Sequence, residues 1–570
     1  MGKMPLWRLA LLLSAATLLA APPPKKPVAA GPAERPIQHW MRALTPRQRV
    51  AQLVIIKSIG SLPPTRSRAY RAFVKSVQTD GVGGIIVNNR VGRTGAINTE
   101  PFEMVTFLNR MQKLAKVPLL IGGDFERGAS MRVAGAIKYP HAMAFAATGN
   151  TDYSRYLGLA TAREARALGV HWVYAPDADV NNNPENPIIN IRSYGEDPEL
   201  VAQHVKAYIE GAKSDPTNPV LVTLKHFPGH GDTAVDSHAG MPKLEVDRIR
   251  LDRVELVPFR AGIAAGVDSV MTAHIALPAV DPTGDPSTIS KPVITGLLRG
   301  ELGFQGIVST DAMDMAGLAA KYSPGEAAVR AIEAGVDVLL IPADPAAAIN
   351  GVMAAIRSGR LTQARVDASV KKVLAAKAKL GLDKSRYVRA EVLPDALDAP
   401  GAAEKALEIA GKAVTLVRNR AGLLPLAKDA KACVLLLAER KGNANGQAFL
   451  DEMAVRAPKI PVVLVDPQTP SIAPPEGCET IVLGAYAQIG GYGERNAPLP
   501  GTYPELVNDL VKSGKPIILI GLGNPYMIRA FPEVTTYLTT YSPAPTSETA
   551  AVRALFGDAP MTGKKVVTVE

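Results

Sequence analysis

The sequence predicts an α/β protein in which an N-terminal (β/α)8 barrel of the TIM type precedes a smaller α/β sandwich domain. First, eight short apolar runs typical of buried strands alternate with Ala-rich, amphipathic helical segments between residues 53 and 342. Second, a chain of 570 residues is too long for one typical domain of roughly 100–200 residues. Third, ionisable side chains stand at the carboxyl ends of five of these runs, which is where barrel enzymes build their active sites.

The barrel elements follow from the spacing of apolar residues. The predicted strands are residues 53–57, 84–88, 118–124, 172–177, 220–225, 269–274, 306–311 and 336–342. Residues 40–52 are predicted to be largely helical before the first strand, with Thr45-Pro46 as cap and first turn. The clearest helical segments between strands are residues 152–168, 199–214 and 324–334. The polar strand ends are Asp124, Asp177, Lys225 with His226, His274 and Asp311.

The second domain is predicted from composition and from a further set of apolar runs. We place the barrel at residues 37–382, with a closing helix at 362–380, a Pro- and Asp-containing linker at 383–400 and the second domain at 401–570. Its predicted strands are residues 413–417, 432–437, 461–465, 479–483, 516–520 and 534–538. Gly521-Leu522-Gly523 lacks the third glycine of a dinucleotide-binding turn, so no nucleotide site is predicted.

The N-terminus has the layout of an export signal. Lys3 and Arg8 precede an almost wholly apolar run, residues 9–19, which is shorter than the ~20 residues of a membrane span. We therefore expect a signal peptide at residues 1–21, a flexible Pro/Ala-rich segment at 22–36, and a periplasmic or secreted bacterial protein without stable membrane insertion. An uncleaved anchor is the alternative.

Charge and cysteine content restrict the choice of partners only weakly. The net charge of +11 would permit nucleic-acid binding, but no long Lys/Arg cluster with interleaved aromatic residues occurs, so no nucleic-acid partner is predicted. Affinity for an anionic wall polymer, or simple solubility, is the better interpretation. Cys433 and Cys478 are the only cysteines, and an exported location permits a disulfide without requiring it.

The most informative stretch is KHFPGHGDTAVDSH, residues 225–238, which follows a predicted buried strand. Its Gly and Pro content indicates a loop, so its ionisable groups must lie in water or in a cleft. Asp236 and His238 are two apart and point to the same side of an extended segment. The carboxylate favours the imidazolium and raises the histidine pKa, which suits a proton donor at neutral pH. A surface Asp–His contact is the simpler alternative.

This stretch resembles the signature of family 3 glycoside hydrolases of the β-N-acetylglucosaminidase type. The resemblance implies that His238 is the general acid/base and that Asp236 orients it. It also implies that Asp311, in IVSTDAMDM, is the carboxylate nucleophile of a retaining mechanism. Asp314 is the rival for that role, and a helix-capping aspartate is the structural alternative for Asp311.

The same resemblance implies a sugar-binding set, although each member could instead form a plain structural ion pair. Its members are Asp124, Arg132, Arg192, Lys225 and His226. Arg127 departs from the pattern, since many members of the family have glycine there, and so does the C-terminus, which lacks a common Leu-Pro. The β-glucosidase branch of the family is disfavoured, because its acid/base resembles a glutamate from the second domain.

The leading hypothesis is an exo-acting β-N-acetylglucosaminidase that needs no cofactor and acts on cell-wall fragments or chitin-derived oligosaccharides. One alternative is a metal-dependent hydrolase that uses His226, His230, Asp232 and His238. Another is a non-catalytic carbohydrate- or wall-binding protein. Phosphorolysis is a minor variant, because a deprotonated His238 is neutral and would not repel a phosphate. The aglycone, the oligomeric state and the role of the second domain stay open.

Overall fold

The computed structural model describes Gly2 and residues 34–59, 63–92, 95–238, 240–438, 445–468, 472–487 and 499–570. Apart from Gly2, the expected signal peptide at 1–21 lies outside the described residues, as do residues 22–33 of the expected flexible segment. The rest of that segment, residues 34–36, is helical. Among the described helices, none combines the length and the apolar character that crossing a bilayer requires.

The first domain is a closed parallel barrel, as predicted. Its strands run in the order β10-β1-β2-β5-β6-β7-β8-β9, and the sheet closes where the N–H of Thr310 donates to the carbonyl of Val338 over 3.0 Å. A small hairpin, β3–β4, stands outside the barrel sheet. The strands are β1 (Val54–Ser58), β2 (Gly84–Val87), β3 (Arg90–Gly92), β4 (Gly95–Ile97), β5 (Leu120–Gly123), β6 (Trp172–Val173), β7 (Leu221–Phe227), β8 (Ser269–Thr272), β9 (Ile307–Thr310) and β10 (Leu339–Leu340).

Helices surround the barrel and close its lower end. They are α1 (Glu34–Ala43), α2 (Pro46–Ala51), α3 (Arg68–Val74), α4 (Pro101–Leu114), α5 (Ala142–Ala147), α6 (Asp152–Ala167), α7 (Pro198–Ala212), α8 (Arg248–Arg253), α9 (Leu256–Ala264), α10 (Ala316–Ala319), α11 (Pro324–Ala334), α12 (Pro345–Arg357), α13 (Gln363–Lys379) and α14 (Leu393–Leu397). The predicted helix at 40–52 is two helices, because Thr45 caps α2 and Pro46 opens it. Helix α13 crosses the amino ends of the strands, where Lys377 bonds Gln52 over 2.6 Å. The opposite, carboxyl end is therefore the open one.

The interior of the barrel is filled by large side chains rather than left as a pore. Trp172 and Tyr174 are fully buried, and the indole N–H of Trp172 donates to Thr223 Oγ1 over 2.7 Å. A Cβ on Gly122 would lie 2.6 Å from the Tyr174 ring, so this strand position accepts no side chain. Because the barrel is packed through, the chemistry must take place at its mouth.

The second domain is a six-stranded sheet with helices on both faces. The sheet order is β11-β16-β15-β14-β12-β13, and all pairs are parallel except β11 with β16. Adjacent residues of β12 enter different cores, Cys433 the one shared with the barrel and Val434 the outer one, as strand alternation requires. The strands are β11 (Thr415–Asn419), β12 (Ala432–Leu437), β13 (Val462–Val465), β14 (Thr480–Ala487), β15 (Ile517–Gly523) and β16 (Thr536–Thr539).

Four helices complete this domain, and two predicted elements differ in extent. The helices are α15 (Ala402–Ala413), α16 (Gln447–Arg456), α17 (Tyr503–Lys512) and α18 (Pro545–Leu555). Helix α15 runs through Ala413, so the strand predicted from that residue begins at Thr415 instead. The expected linker contains the short helix α14 and a 3-10 turn at Ala390–Val392.

The two domains are joined by hydrogen bonds beside the barrel mouth. Asn181 Nδ2 donates to the Tyr526 hydroxyl over 3.0 Å, and the hydroxyl of Thr568 donates to Glu196 over 2.5 Å. The cysteine question that the sequence left open is answered by a disulfide between Cys433 and Cys478. The second domain thus supports loops that carry predicted site residues.

Candidate active site

The predicted site residues converge on the carboxyl end of the barrel. Asp124 follows β5, Lys225 and His226 lie near the carboxyl end of β7, and Asp311 follows β9. Parallel strands of a closed barrel end at the same rim, so residues far apart in sequence become neighbours. We call the set Asp124, Glu126, Arg132, Asp177, Arg192 and Lys225 the charged floor of the site.

Lys225 is the centre of the charged floor. Its ammonium lies 3.1 Å from Asp124 Oδ1, 2.7 Å from Glu126 Oε1 and 3.7 Å from Asp177 Oδ1. The side chain is only 2% exposed. Its role is therefore to balance the charge of these carboxylates and to orient them, more than to contact a ligand directly. Burial alone would raise the pKa of Asp124, but Lys225 and Arg132 hold it below its usual value.

Two arginines complete the charged floor. Arg132 Nη2 contacts Asp124 over 3.0 Å, and its Nη1 donates to Asn89 Oδ1 over 2.8 Å. Arg192 grips both oxygens of Glu126, over 3.1 and 2.8 Å, and places its Nε 3.2 Å from Asp177 Oδ2. A forked guanidinium on a carboxylate fixes orientation as well as charge. The floor holds three carboxylates and three cations, so it offers both hydrogen-bond donors and acceptors.

Glu126 and Asp177 share Arg192 but differ in protonation. Burial would raise the pKa of both, yet Arg192 and Lys225 hold the pKa of Glu126 well below its usual range. At Asp177 burial prevails and the pKa lies above its usual range. Both oxygens of Asp177 are buried and lack a hydrogen bond in the described structure. The negative charge of this pair therefore resides mainly on Glu126.

Asp179 is a buried anchor that joins the floor to the His238 loop. Its carboxylate accepts the ring Nδ1–H of His226 over 2.8 Å and the backbone N–H of His230 over 2.7 Å. Burial opposes charge on His226, but Asp179 raises its pKa above the usual value. His230 is different, because burial and the charge of His226 lower its pKa to about 4. His230 is thus neutral near pH 7.

The segment from Gly231 to Gly240, here called the catalytic loop, carries Asp236 and His238. Asp236 Oδ1 accepts both the backbone N–H and the ring Nδ1–H of His238, each over 2.8 Å. The Asp236 side chain is buried, whereas that of His238 is 33% exposed. Burial would raise the pKa of Asp236, but its hydrogen bonds to His238 lower it. Because Asp236 holds Nδ1–H, Nε2 is the ring nitrogen that can exchange a proton with a substrate.

The catalytic loop is folded over the barrel mouth. His230 bonds Thr233 through Nδ1 over 2.7 Å and Ser237 through Nε2 over 3.0 Å. The N–H of Gly317 donates to the Ser237 carbonyl over 3.3 Å, and a Cβ on Gly317 would lie 3.2 Å from the same oxygen. Since Gly317 lies in α10, six residues beyond Asp311, the loop packs near the strand end that carries the predicted nucleophile.

Asp311 lies in a ring of imidazoles. Burial would raise the pKa of its carboxyl, but the charge of His226 lowers it. The N–H of Ala312, which donates to Asp311 Oδ1 over 2.7 Å, and the charge of His238 lower it further. The carboxylate is therefore ionised across the neutral range. The structure thus places Asp311 and His238 within electrostatic reach of each other, whereas the rival Asp314 is exposed.

His274 is a residue whose role the sequence left unassigned. It lies after β8, and its Nε2–H donates to the carbonyl of Ala312 over 2.9 Å while Nδ1 meets Thr288 over 2.8 Å. Burial lowers its pKa, so the ring is neutral and Nδ1 accepts from the threonine hydroxyl. It fixes the backbone next to Asp311.

The four residues of the metal alternative are not brought together. His230 is occupied by Thr233 and Ser237, Asp232 pairs with Arg250 over 2.9 Å, and His238 pairs with Asp236. Within the part of the chain that the structure describes, the single group spaced for a metal is Asp177, Asp179 and His226. Arg192 lies 3.2 Å from Asp177 and 3.5 Å from His226 Nε2, and a guanidinium there disfavours a second cation.

The sequence alone did not assign Glu126 and Asp179 to the site, and it named Asp177 only as a polar strand end and His230 only as a ligand of the metal alternative. Glu126 lies two residues from Asp124, and Asp179 lies two residues beyond a predicted strand, so proximity to the motifs was the available signal. Arg127, the departure noted in the sequence, is partly exposed beside Asp124 and forms no ion pair with the described residues. Burial lowers the pKa of its guanidinium, as does the charge of Arg132.

Comparisons with known proteins identify the family of this chain. The chain matches the model of the glycosyl hydrolase family 3 N-terminal domain over residues 45–376. It is 30% identical over 516 residues to a β-N-acetylglucosaminidase/β-glucosidase of Cellulomonas fimi, covering 85% of this chain and 88% of that one. It is also 30% identical to β-hexosaminidase A of Pseudoalteromonas piscicida, with 90% and 92% covered. The structure of a family 3 β-N-acetylglucosaminidase from Paenibacillus sp. superposes with a TM-score of 0.78 at 32% identity, covering 92% of this chain and 99% of that one.

Proposed function

This chain belongs to glycoside hydrolase family 3, and on that premise we propose that it is a retaining exo-β-N-acetylglucosaminidase. Asp311 is the nucleophile, and His238, oriented by Asp236, is the acid/base. The observation that carries the proposal is the position of the catalytic loop, whose Ser237 carbonyl accepts the N–H of Gly317, six residues beyond the ionised Asp311.

The reaction proceeds in two steps through a covalent intermediate. In the first, His238 Nε2 gives its proton to the leaving glycosidic oxygen while the Asp311 carboxylate bonds the anomeric carbon. In the second, neutral His238 accepts a proton from water, whose oxygen displaces Asp311. Asp236 holds Nδ1–H throughout, which keeps the same ring nitrogen directed at the reaction and stabilises the imidazolium.

Substrate binding belongs to the exposed edges of the charged floor. Asp124, Arg132 and Arg192 each keep a fraction of their side chains accessible, and so does His226. These groups supply directional hydrogen bonds to sugar hydroxyls, each of which costs about 1–3 kcal/mol if left unmade. Lys225 acts from beneath, by holding Asp124 and Glu126 in place.

Two further features of the proposal are the recognised sugar and the location of the enzyme. The relatives named β-N-acetylglucosaminidase or β-hexosaminidase support N-acetylglucosamine as the recognised sugar. The export signal expected from the sequence and the Cys433–Cys478 disulfide are consistent with a periplasmic or secreted enzyme, because disulfides persist in oxidising compartments. Cell-wall fragments and chitooligosaccharides are the natural substrates that such a location offers.

The test is a set of initial rates on 4-nitrophenyl N-acetyl-β-glucosaminide, β-glucoside and β-xyloside, with and without phosphate. We expect the N-acetylglucosaminide to be the best substrate. We also expect proton NMR to show that the sugar is first released as the β-anomer. Exhaustive EDTA treatment should leave the rate unchanged. An α-anomer as first product would exclude the retaining mechanism, loss of activity in EDTA would favour the metal alternative, and formation of a sugar 1-phosphate would assign phosphorolysis.

A further inference from the structure

One side of the barrel mouth carries an unbalanced positive surface. Residues 57–92 contain six cations and a single acid, Asp80, which Lys75 already neutralises over 2.7 Å. The other five cations are exposed, and none of them forms an ion pair within the described part of the chain. We call them the basic rim: Lys57, Arg66, Arg68, Arg71 and Arg90.

Backbone contacts hold the basic rim in two groups, Lys57 with Arg90 and the cations around the start of α3. Strands β1 and β2 are paired, and the N–H of Asn88 donates to the Ser58 carbonyl over 2.8 Å, so Lys57 and Arg90 leave neighbouring strand ends. Ser67 caps the first turn of α3 at the same end of the barrel, and Arg71 Nη1 bonds the Arg66 carbonyl over 2.8 Å.

The basic rim adjoins the charged floor through Arg132. Asn89, the residue before Arg90, accepts from Arg132 Nη1 over 2.8 Å. On the other side, the carbonyl of Arg132 accepts the N–H of Thr99, whose hydroxyl donates to the Ile59 carbonyl over 3.1 Å. A chain that leaves the sugar pocket on this side passes directly over the basic rim.

Apolar side chains are interspersed with these cations. Ile59 is 40% exposed and Ile97 41%, and both flank the contacts just described. Apolar groups beside unpaired cations complement a partner that has both anionic groups and apolar faces. Sugar rings with their C–H faces and acetyl methyl groups offer the apolar part, and carboxylates offer the anionic part.

We propose that the basic rim docks a carboxylate-bearing glycan of N-acetylated sugars, the cell-wall polymer, and so delivers its chain ends to the pocket. This inference rests on the proposed function, whose substrate class it narrows from N-acetylglucosaminides in general to those on an anionic polymer. The attraction is electrostatic and largely exposed to water, so it must weaken with salt.

The test compares two charge-matched variants of the full chain. In the rim variant, Lys57→Gln, Arg66→Gln, Arg68→Gln, Arg71→Gln and Arg90→Gln are combined. The control variant replaces five exposed cations without ion pairs, which lie around or beyond the amino end of the barrel: Lys113, Lys116, Arg357, Lys371 and Lys384, each →Gln. Both variants lose five positive charges. A difference in binding between them therefore reflects the position of the charges and not the net charge.

Cosedimentation with insoluble, carboxylate-bearing peptidoglycan is the binding measurement. We expect the rim variant to bind at least tenfold more weakly than the parent at about 50 mM salt, with the gap narrowing at about 200 mM, and the control variant to bind within twofold. Equal binding by parent and rim variant would overturn the proposal. So would an equal loss in both variants, or retention of the parent only on anionic phosphatidylglycerol vesicles.

Hydrolysis of 4-nitrophenyl N-acetyl-β-glucosaminide separates this inference from the proposed function. The rim variant should keep kcat/KM within twofold on this small neutral substrate and lose at least fivefold on soluble polymer fragments. A parent chain inactive on the aryl substrate would refute the proposed function, while cosedimentation would still decide the docking. An equal loss on both substrates would refute the inference.

Discussion

The charged floor and the catalytic loop are built on opposite principles. In the floor, Lys225 meets three carboxylates, Glu126 meets two cations, and no side chain is more than 19% exposed. In the catalytic loop, the side chain of His238 is 33% exposed and is held by one carboxylate, that of Asp236. The neighbouring Ser237 forms hydrogen bonds with His230 and Gly317. A site can be rigid where it recognises the sugar and adjustable where it moves a proton. Substitutions in the two regions should therefore differ in kind: floor variants should change stability and KM, and loop variants kcat.

The largest effect is expected at Asp311, which shares the rigid strand ends with the floor. Asp311→Ala removes the group that bonds the anomeric carbon, so kcat on 4-nitrophenyl N-acetyl-β-glucosaminide should fall about 10⁴-fold or more. Asp314→Ala, three residues on, is the matched control and should stay within threefold. A reversal of the two results would transfer the nucleophile to Asp314.

Lys225→Met tests the charged floor most directly, because it removes the central cation. It leaves Asp124, Glu126 and Asp177 without their shared cation, and removing one partner of a buried charge network costs about 3–5 kcal/mol. We expect a large drop in the free energy of unfolding, measured by denaturant titration, together with a raised KM. The exposed Lys371→Met is the control and should change stability by under about 0.5 kcal/mol.

His238→Gln tests the loop without disturbing the floor. Loss of general acid catalysis should lower kcat about 10²–10³-fold on an alkyl glycoside, whose leaving oxygen needs a proton. On a 2,4-dinitrophenyl glycoside, which departs unaided, the loss should be confined to the second step. The free energy of unfolding should be unchanged, because the His238 side chain is partly exposed. An equal loss on both substrates would show that His238 does not protonate the leaving group.

Asp177→Asn should reveal a pH dependence confined to the floor. Because the folded pKa of Asp177 is raised above its unfolded value, the folded state binds the extra proton and the native protein loses stability as pH rises through that interval. The amide cannot ionise, so the variant should unfold at a higher temperature than the parent at pH 8 by about 2–4 °C. At pH 4 the two should coincide. A constant difference across this range would contradict the assignment.

Ser237→Ala should have the smallest effect and act on the loop alone. It removes the hydrogen bond between Ser237 and His230, which contributes about 1 kcal/mol. The position of the adjacent His238 is then less restrained. We expect kcat to fall about fivefold with KM and the melting temperature unchanged. Thr233→Val, on the other ring nitrogen of the same histidine, is the companion variant. A drop in melting temperature without a change in kcat would assign Ser237 to folding only.

Most of the barrel could be predicted because its elements are local patterns. All eight predicted strands form in the predicted order, and the cap at Thr45-Pro46 is where the sequence places it. Most were predicted too long, above all β6, which is Trp172–Val173, and β10, which is Leu339–Leu340. Beyond these short pairings the chain turns into site loops, and side-chain hydrogen bonds replace the strand ladder. Apolar periodicity does not detect that change.

The sequence by itself determined the fold class, the position of the polar strand ends and the Asp236–His238 pair, because each depends on residues near one another in the chain. Only the tertiary structure decided how Lys225 joins Glu126, how Asp179 anchors His226 and His230, and how Cys433 meets Cys478. These partners are separated by 45 residues or more, and closure of the barrel or pairing within the second sheet brings them together. Electrostatic energy falls with distance through space, which the order of residues along the chain does not specify.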